Sequence, residues 1–326
     1  MLQKYMLSPL IVCSSEVTMS TKVSFGVSLP QQRVDFDTVK EVALICEKLG
    51  YDSIWCYDHF FPYDGSDRQQ SFFECLSTLS ALSVITKKIR LGSLVLCNEF
   101  RNPALVSKIT SQIDVMSKGR LILGIGAGWF KEEFDTYGYP FSDVKTRIER
   151  LEEAIQIIKL MWTKDVVNFS GKHYKIKGAI NEPKPIQKPH PPIWIGGSLE
   201  RILKIAAKYA DGWNLGFYAS NTPEGFSKKS KKLDELCLLF GRKPSALRRS
   251  WHGLVVLADN RSVLFDKLRK YSWMAMGSTL IASTYEECEQ SFKKYIEAGV
   301  TDFVIKFAEV PESLDVLEKF SQIMLH

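Results

Sequence analysis

Short apolar runs alternate with longer amphipathic stretches from Val23 to the end of the chain. The runs "VSFGVSL" (23–29), "SIWCY" (53–57), "IRLGSLVL" (89–96), "RLILGIG" (120–126), "PIWIGG" (192–197), "GWNLGF" (212–217), "SWHGLVVLA" (250–258) and "TDFVIKF" (301–307) read as strands. Most are apolar almost throughout, which marks strands of a parallel sheet covered on both faces. Helical periodicity predicts helices over about 37–49, 72–86, from Pro103 onward, 145–162, 199–209, 223–239, 284–298 and 312–324. Gly50 fits the C-terminal cap of the first, and Pro103 the first turn of the third.

Eight strand-then-helix units predict an α/β fold, a closed (β/α)8 TIM barrel. Two insertions interrupt it, after strands four and seven. The first holds "VVNFSGKHYKIKG" (166–178), which reads as a β-hairpin, and the proline-rich return "NEPKPIQKPHPP" (181–192). The second is the irregular stretch between Ala258 and the helix expected from 284. Residues 21–326 are expected to form this single domain. Residues 1–20 are expected to be a disordered extension, since the apolar run in "MLQKYMLSPLIVCSS" is short and Val12 makes a poor cleavage site.

Composition narrows the function more than the fold. Lys and Arg number 43 against 37 Asp and Glu, a formal charge of +6, too small an excess for a dedicated nucleic-acid binder. The densest basic run, "KKSKK" (228–232), reads as a solvated helix face. No run approaches the roughly 18 apolar residues of a membrane span. The 7 cysteines form no C-x-x-C pair and the 5 histidines no i, i+4 pair, so no metal site is expected. Reduced cysteines in apolar runs suit a cytoplasmic enzyme acting on a small molecule, and a homodimer is compatible with the rest.

In such barrels the chemistry gathers where strands end at the C-terminal rim. The second strand ends on Asp58 and His59, and the third continues into "CNEF" after an internal glycine, Gly92. The fourth runs into "GIGAGWFKEEF", which matches neither G-x-G-x-x-G nor a P-loop. Its alternating glycines, Gly124, Gly126 and Gly128, clear one face so that a flat ring could lie on the backbone. The fifth ends on Gly196, Gly197 and Ser198 directly before a helix, an arrangement that suits a phosphate; Ser198 could equally be the helix cap. Trp129, Phe60, Phe61, Tyr63, Trp194 and Trp213 are candidates for an apolar substrate wall. Arg147 and Arg150, on the helix after strand four, read as solvated helix surface, with reach to an anionic tail as the alternative.

The segments "YDSIWCYDHF", "LSALSVITKKIRLGSLVL", "GRLILGIGAGWFKEEFDTYGYPF", "RIERLEEAIQIIKLMW", "PPIWIGG" and "KYADGW" occur in this order. Together they resemble the luciferase-like monooxygenase superfamily, oxidoreductases that use FMN or the deazaflavin coenzyme F420. The resemblance implies that Asp58 and His59 lie beside the cofactor ring, with His59 moving a proton during hydride exchange. It also implies a non-proline cis peptide at Leu94–Val95 behind the ring, with Cys97 near its edge. Ala127 and Gly128 would line the ring's polar edge, and Gly196, Gly197 and Ser198 would hold the phosphate. Trp129 stands where the sugar-phosphate dehydrogenase branch carries a working glutamate, with Glu132 and Glu133 further along, so that branch's substrate is not carried over.

The reading is therefore an F420-dependent oxidoreductase with Trp129, Phe60 and Tyr63 in its substrate pocket. The alternatives are an FMN-dependent monooxygenase using O₂ and a non-catalytic flavin-binding barrel. A phosphosugar lyase or isomerase would need a buried lysine or paired acids at strand ends, and Lys306, in the eighth strand, is the candidate lysine.

Overall fold

A computed structural model describes residues 22–63, 67–216, 222–275 and 279–325. The extension expected over residues 1–20 and Phe217 of the sixth run lie outside them. Eight barrel strands follow one another: β1 (Ser24–Ser28), β2 (Ser53–Cys56), β3 (Arg90–Ser93), β4 (Leu121–Gly126), β5 (Ile193–Gly196), β6 (Gly212–Leu215), β7 (Arg248–Ala258) and β8 (Asp302–Phe307). Each pairs in parallel with the next, and β8 pairs with both β7 and β1, so the sheet closes on itself. This is the expected (β/α)8 barrel.

The helices are α1 (Phe36–Lys48), α2 (Cys75–Ile85), α3 (Pro103–Met116), α4 (Lys131–Tyr137), α5 (Val144–Thr163), α6 (Glu200–Tyr209), α7 (Pro223–Leu239), α8 (Arg261–Lys270), α9 (Ser272–Ala275), α10 (Cys288–Glu297) and α11 (Asp315–Met324). The first insertion adds α4 before the fourth unit's long helix, α5, and the expected hairpin after it, whose strands are Val167–Ser170 and Lys175–Ala179. The second is more regular than its sequence suggests. It contains α8, α9 and a short strand, Leu280–Thr284, which extends the sheet by pairing with the second half of β7. That strand occupies the start of the expected 284–298 helix, which begins instead at Cys288.

Two layers of apolar side chains hold the barrel. The outer layer lies between strands and helices and includes Val27, Ile54, Leu91, Ile195 and Trp213. The inner one fills the bore with Trp55, Tyr57, Leu94, Ile122, Trp194 and Val304. The indoles of Trp55 and Trp194 meet at 4.9 Å between ring centroids. They fit because the neighbouring strands carry glycine: a Cβ on Gly92 would fall 2.1 Å from the Trp55 ring, and one on Gly212 2.5 Å from Trp194. Trp194 is thus the floor of the bore, and Trp213 packs outside it against Phe226; neither walls a substrate pocket.

Gly92→Ala should therefore force the Trp55 indole from a packed bore, at a cost of about 1–3 kcal/mol. Urea denaturation of wild type and variant measures the difference, and an unchanged midpoint would contradict the packing.

Candidate active site

At the C-terminal end of the strands the bore opens into a cavity of about 690 Å³. That volume lies within the usual range for small-molecule and cofactor sites. Asp58, His59, Tyr63, Leu94, Val95, Cys97, Ala127, Gly128, Trp129, Gly196, Gly197 and Ser198 all line it. Phe60 and Phe61, like Trp194 and Trp213, do not line it. The chain turns after His59, and Phe60 packs against Phe100 and Tyr137 at 4.6 and 4.4 Å, beneath the loop rather than in the cavity. Phe61 is likewise buried against Phe130 and Tyr137.

Asp58 and His59 sit side by side but do different work. The Asp58 carboxylate is 4% exposed and accepts two hydrogen bonds from Arg101, both at 2.8 Å, and a third from the Cys97 N–H at 2.8 Å. Arg101 also binds Glu74, the N-cap of α2, at 2.6 Å. Asp58 thus ties the end of β2 to the exit of the third strand. His59 finds its acid elsewhere: its Nδ1 lies 2.9 Å from Glu133 of α4, a carboxylate 1% exposed. Glu133 also accepts from the Phe60 N–H at 2.6 Å, which fixes it against the loop carrying the imidazole. A carboxylate on Nδ1 places the Nδ1 proton, leaving Nε2 as the nitrogen able to exchange a proton with a ligand. The His59 ring also packs on Tyr63 at 4.0 Å between centroids, and Trp129 approaches it edge-on at 6.0 Å. Trp129 is 51% exposed and stands at the mouth.

The third strand breaks its pairing at Leu94–Val95, and that peptide is cis, as the family resemblance implied. The chain then pairs again through Leu96 and Cys97 with Ile125 and Gly126 of β4. The bulge sends Val95 over the neighbouring strands. A Cβ on Gly124, Gly126 or Gly196 would lie 3.0, 2.9 or 2.7 Å from a Val95 methyl. Gly126 and Gly196 therefore make room first for Val95, and Gly124 for the Ser93 carbonyl, whose oxygen a Cβ there would meet at 2.0 Å, rather than directly for a flat ligand. Gly128 is required twice: its φ is +77°, and a Cβ there would fall 2.6 Å from the Cys97 sulfur. Burial, then the nearby Asp58 charge, pushes the Cys97 thiol above its ordinary range, so it serves as packing rather than as a nucleophile.

Ser198 is not the cap of α6. Leu199 takes the N-cap position, and no side chain caps the helix. The Trp213 indole N–H donates to the Gly197 carbonyl at 2.7 Å and holds the turn. Arg147, expected to be solvated, is 6% exposed and lines the cavity, whereas Arg150 pairs with Glu99 at 2.6 Å.

Across the bore a polar wall forms from Tyr57, Asn214, His252 and Lys306. His252 Nδ1 donates to the Val304 carbonyl at 2.8 Å, so Nε2 accepts from the Tyr57 hydroxyl at 3.2 Å. Burial, opposed by the Val304 bond and reinforced by Lys306, pushes the His252 pKa down to about 3. No three-ligand metal cluster occurs among the described residues, and no helix there is long and apolar enough to cross a membrane.

The luciferase-like monooxygenase family matches residues 16–313, and the chain belongs to it. It is 30% identical to the F420-dependent glucose-6-phosphate dehydrogenase of Microbacterium testaceum over 315 residues, 88% of this chain and 92% of that one. It is 32% identical to the FMNH(2)-dependent dimethylsulfone monooxygenase of Pseudomonas putida over 250 residues, 75% of this chain and 66% of that one. With a further dehydrogenase of the first kind, from Amycolatopsis mediterranei, identity is 33% over 174 residues, covering 53% of this chain and only about half, 51%, of that enzyme. The fold is also that of an F420-dependent secondary alcohol dehydrogenase, with a TM-score of 0.81 at 20% identity over 93% of this chain and 98% of that one.

His252 gives the site a measurable pH signature. In the unfolded chain it protonates near its ordinary value of 6.5, whereas in the fold it stays neutral down to about pH 3. Its contribution is complete above pH 6.5. As pH falls toward 3, the unfolded state binds the extra proton and stability drops, by up to about 1.4 kcal/mol per pH unit. His252→Gln should flatten that part of the wild-type curve in urea melts at pH 7, 5 and 4; parallel curves would contradict it.

Proposed function

We propose that the protein is an oxidoreductase that transfers a hydride between the deazaflavin coenzyme F420 and a small organic substrate. The observation that carries the reading is the His59–Glu133 pair, set in the wall of a cavity that glycine backbone and the Val95 bulge also line. The deazaflavin supplies hydride exchange at its ring, and the protein must hold that ring, exclude water and move one proton.

The residues fit such a ring. Leu94 and Val95 offer an apolar backing that Gly124, Gly126 and Gly196 leave room for. Ala127 and Gly128 present backbone at the cavity edge, and Gly196, Gly197 and Ser198 lead into a helix start without a side-chain cap, suited to a phosphate. His59 Nε2 gives or takes the proton that accompanies the hydride, while Glu133 orients the imidazole through Nδ1. Asp58 and Cys97 act by position, Asp58 by holding the third-strand exit through the Cys97 N–H. Tyr63 and Trp129 form the wall against which the substrate rests.

Similarity to F420-dependent enzymes in both sequence and fold supports the deazaflavin. FMN with O₂ is the second reading, favoured by the similarity to the FMNH(2)-dependent monooxygenase. The six described cysteines are all buried and unpaired, which supports a reducing, cytoplasmic setting.

Titration of the purified protein with F420 and, separately, FMN, followed by fluorescence, tests the central claim. F420 should bind the more tightly, and binding of neither would end the reading. With F420 and a panel of sugar phosphates and secondary alcohols, His59→Ala should retain ring affinity yet lose at least about tenfold in turnover, given the usual 10²–10⁴ for acid–base catalysis. Glu133→Gln should lower turnover in the same direction with a smaller factor. Turnover unchanged in His59→Ala would remove the imidazole from the mechanism.

A further inference from the structure

Aromatic rings surround His59. Tyr63 lies on the imidazole at 4.0 Å between centroids, and Phe72, Trp129 and Phe130 meet it edge-on at 6.1, 6.0 and 6.1 Å. Tyr63 meets the same three rings at 6.4, 6.4 and 6.5 Å. The rings thus form one continuous wall, of which His59, Tyr63, Trp129 and Phe130 line the cavity. The acids beside it are already engaged, Asp58 by Arg101 and Glu133 by His59. The basic side chains of the cavity have other neighbours: Arg147 lies over Phe141, and Lys306 belongs to the polar wall with His252. A sugar phosphate is recognised through its hydroxyls and its charge, whereas the wall around His59 presents mainly ring carbon.

Each insertion also brings one exposed indole to the cavity, Trp129 from the turn between β4 and α4 and Trp273 from α9. Trp273 is 43% exposed. The Arg33 guanidinium lies over its ring at 5.4 Å from the centroid, a cation–π contact. Arg33 is placed in turn by the segment that reaches His59. Its N–H donates to the Ser71 carbonyl at 2.9 Å, and Gln32 pairs with Phe72 in an antiparallel bridge. Trp273 is therefore linked through Arg33 and Phe72 to the ring wall of His59. Large apolar side chains left in water beside a cavity mark a surface that a ligand covers, and an indole face favours a planar ring.

We propose that the substrate is an uncharged aromatic compound whose planar ring rests on Tyr63 between Trp129 and Trp273, with its reacting group toward His59 Nε2. Trp273 is then a specificity-determining residue supplied by the second insertion, and Arg33 positions it. This assignment rests on the oxidoreductase reading for the chemistry that follows binding, but recognition of the ring is tested without it.

Acetophenone and cyclohexyl methyl ketone differ only in the aromaticity of one ring and serve as the probe pair, with glucose 6-phosphate as the anionic comparison. The full chain, free and saturated with F420 or FMN, would be titrated with each by calorimetry. Acetophenone should bind more tightly than the other two. Loss of one aromatic contact corresponds to about two- to tenfold in affinity. Trp129→Leu and Trp273→Leu, which keep an apolar side chain, should each lose that factor for acetophenone and less for cyclohexyl methyl ketone. Both should bind the cofactor as wild type does, and Trp273→Phe, which keeps a ring, should retain most of the acetophenone affinity. Equal binding of the two ketones, binding of neither, or tighter binding of glucose 6-phosphate would overturn the proposal. A loss of cofactor affinity in place of the acetophenone loss would overturn it as well. The two readings fail separately. The expected ketone binding in a protein that takes neither F420 nor FMN would keep the aromatic site and reject the oxidoreductase. Turnover of glucose 6-phosphate with F420, without a preference for acetophenone, would do the reverse.

Discussion

The ion pair between Asp58 and Arg101 is the contact on which the geometry of the mouth depends. Asp58 is buried at the end of β2, so its charge must be met from nearby, and Arg101 meets it with two parallel hydrogen bonds. The same carboxylate accepts from the Cys97 N–H, which fixes the chain where it leaves the third-strand bulge. Held from that side, Val95 is delivered over Gly124, Gly126 and Gly196, and Cys97 against Gly128. Arg101 reaches on to Glu74, so the start of α2 is tied into the same network. Removing Arg101 would leave the Asp58 charge buried with the Cys97 N–H, a loss typically of several kcal/mol.

With the backbone of the mouth fixed in this way, the residues suited to chemistry are left free to face the cavity. The imidazole that follows Asp58 is held by a different carboxylate, Glu133, which comes from the insertion after β4. Structural and chemical duties are thus divided between two acids that lie 75 positions apart in the chain. The bore below is apolar around Trp55 and Trp194, and the far wall carries a neutral histidine held by Tyr57 and Val304. The cavity is accordingly polar along the walls that carry His59 and His252 and apolar over Leu94 and Val95.

Much of this was legible in advance because barrels repeat one unit. Strand positions followed from apolar runs to within a few residues, and the count of eight placed Asp58, His59, Cys97, Gly128 and Ser198 at one rim. The cis peptide at Leu94–Val95 came from the family resemblance and is present. The misses share a cause. Phe60 adjoins His59 in sequence, but the turn after β2 sends consecutive side chains to different sides. Glu133 stood in plain view in "FKEEF", yet α4 spans only Lys131–Tyr137 and carries too little periodicity to show which face it presents. Arg147 looked solvated because helix periodicity reports which face is apolar, not whether an insertion covers the charged one.

The sequence by itself determined the barrel, its closure and the set of residues at the C-terminal rim. These follow from local patterns, strand burial and helix periodicity, repeated eight times. Only the tertiary structure decided which acid pairs with His59, which residues occupy the space over the glycines, and that Arg147 is buried in the cavity wall. Those are contacts between segments tens of residues apart, made across insertions, and neither residue spacing nor composition carries the distance between two side chains that meet only after the barrel has closed.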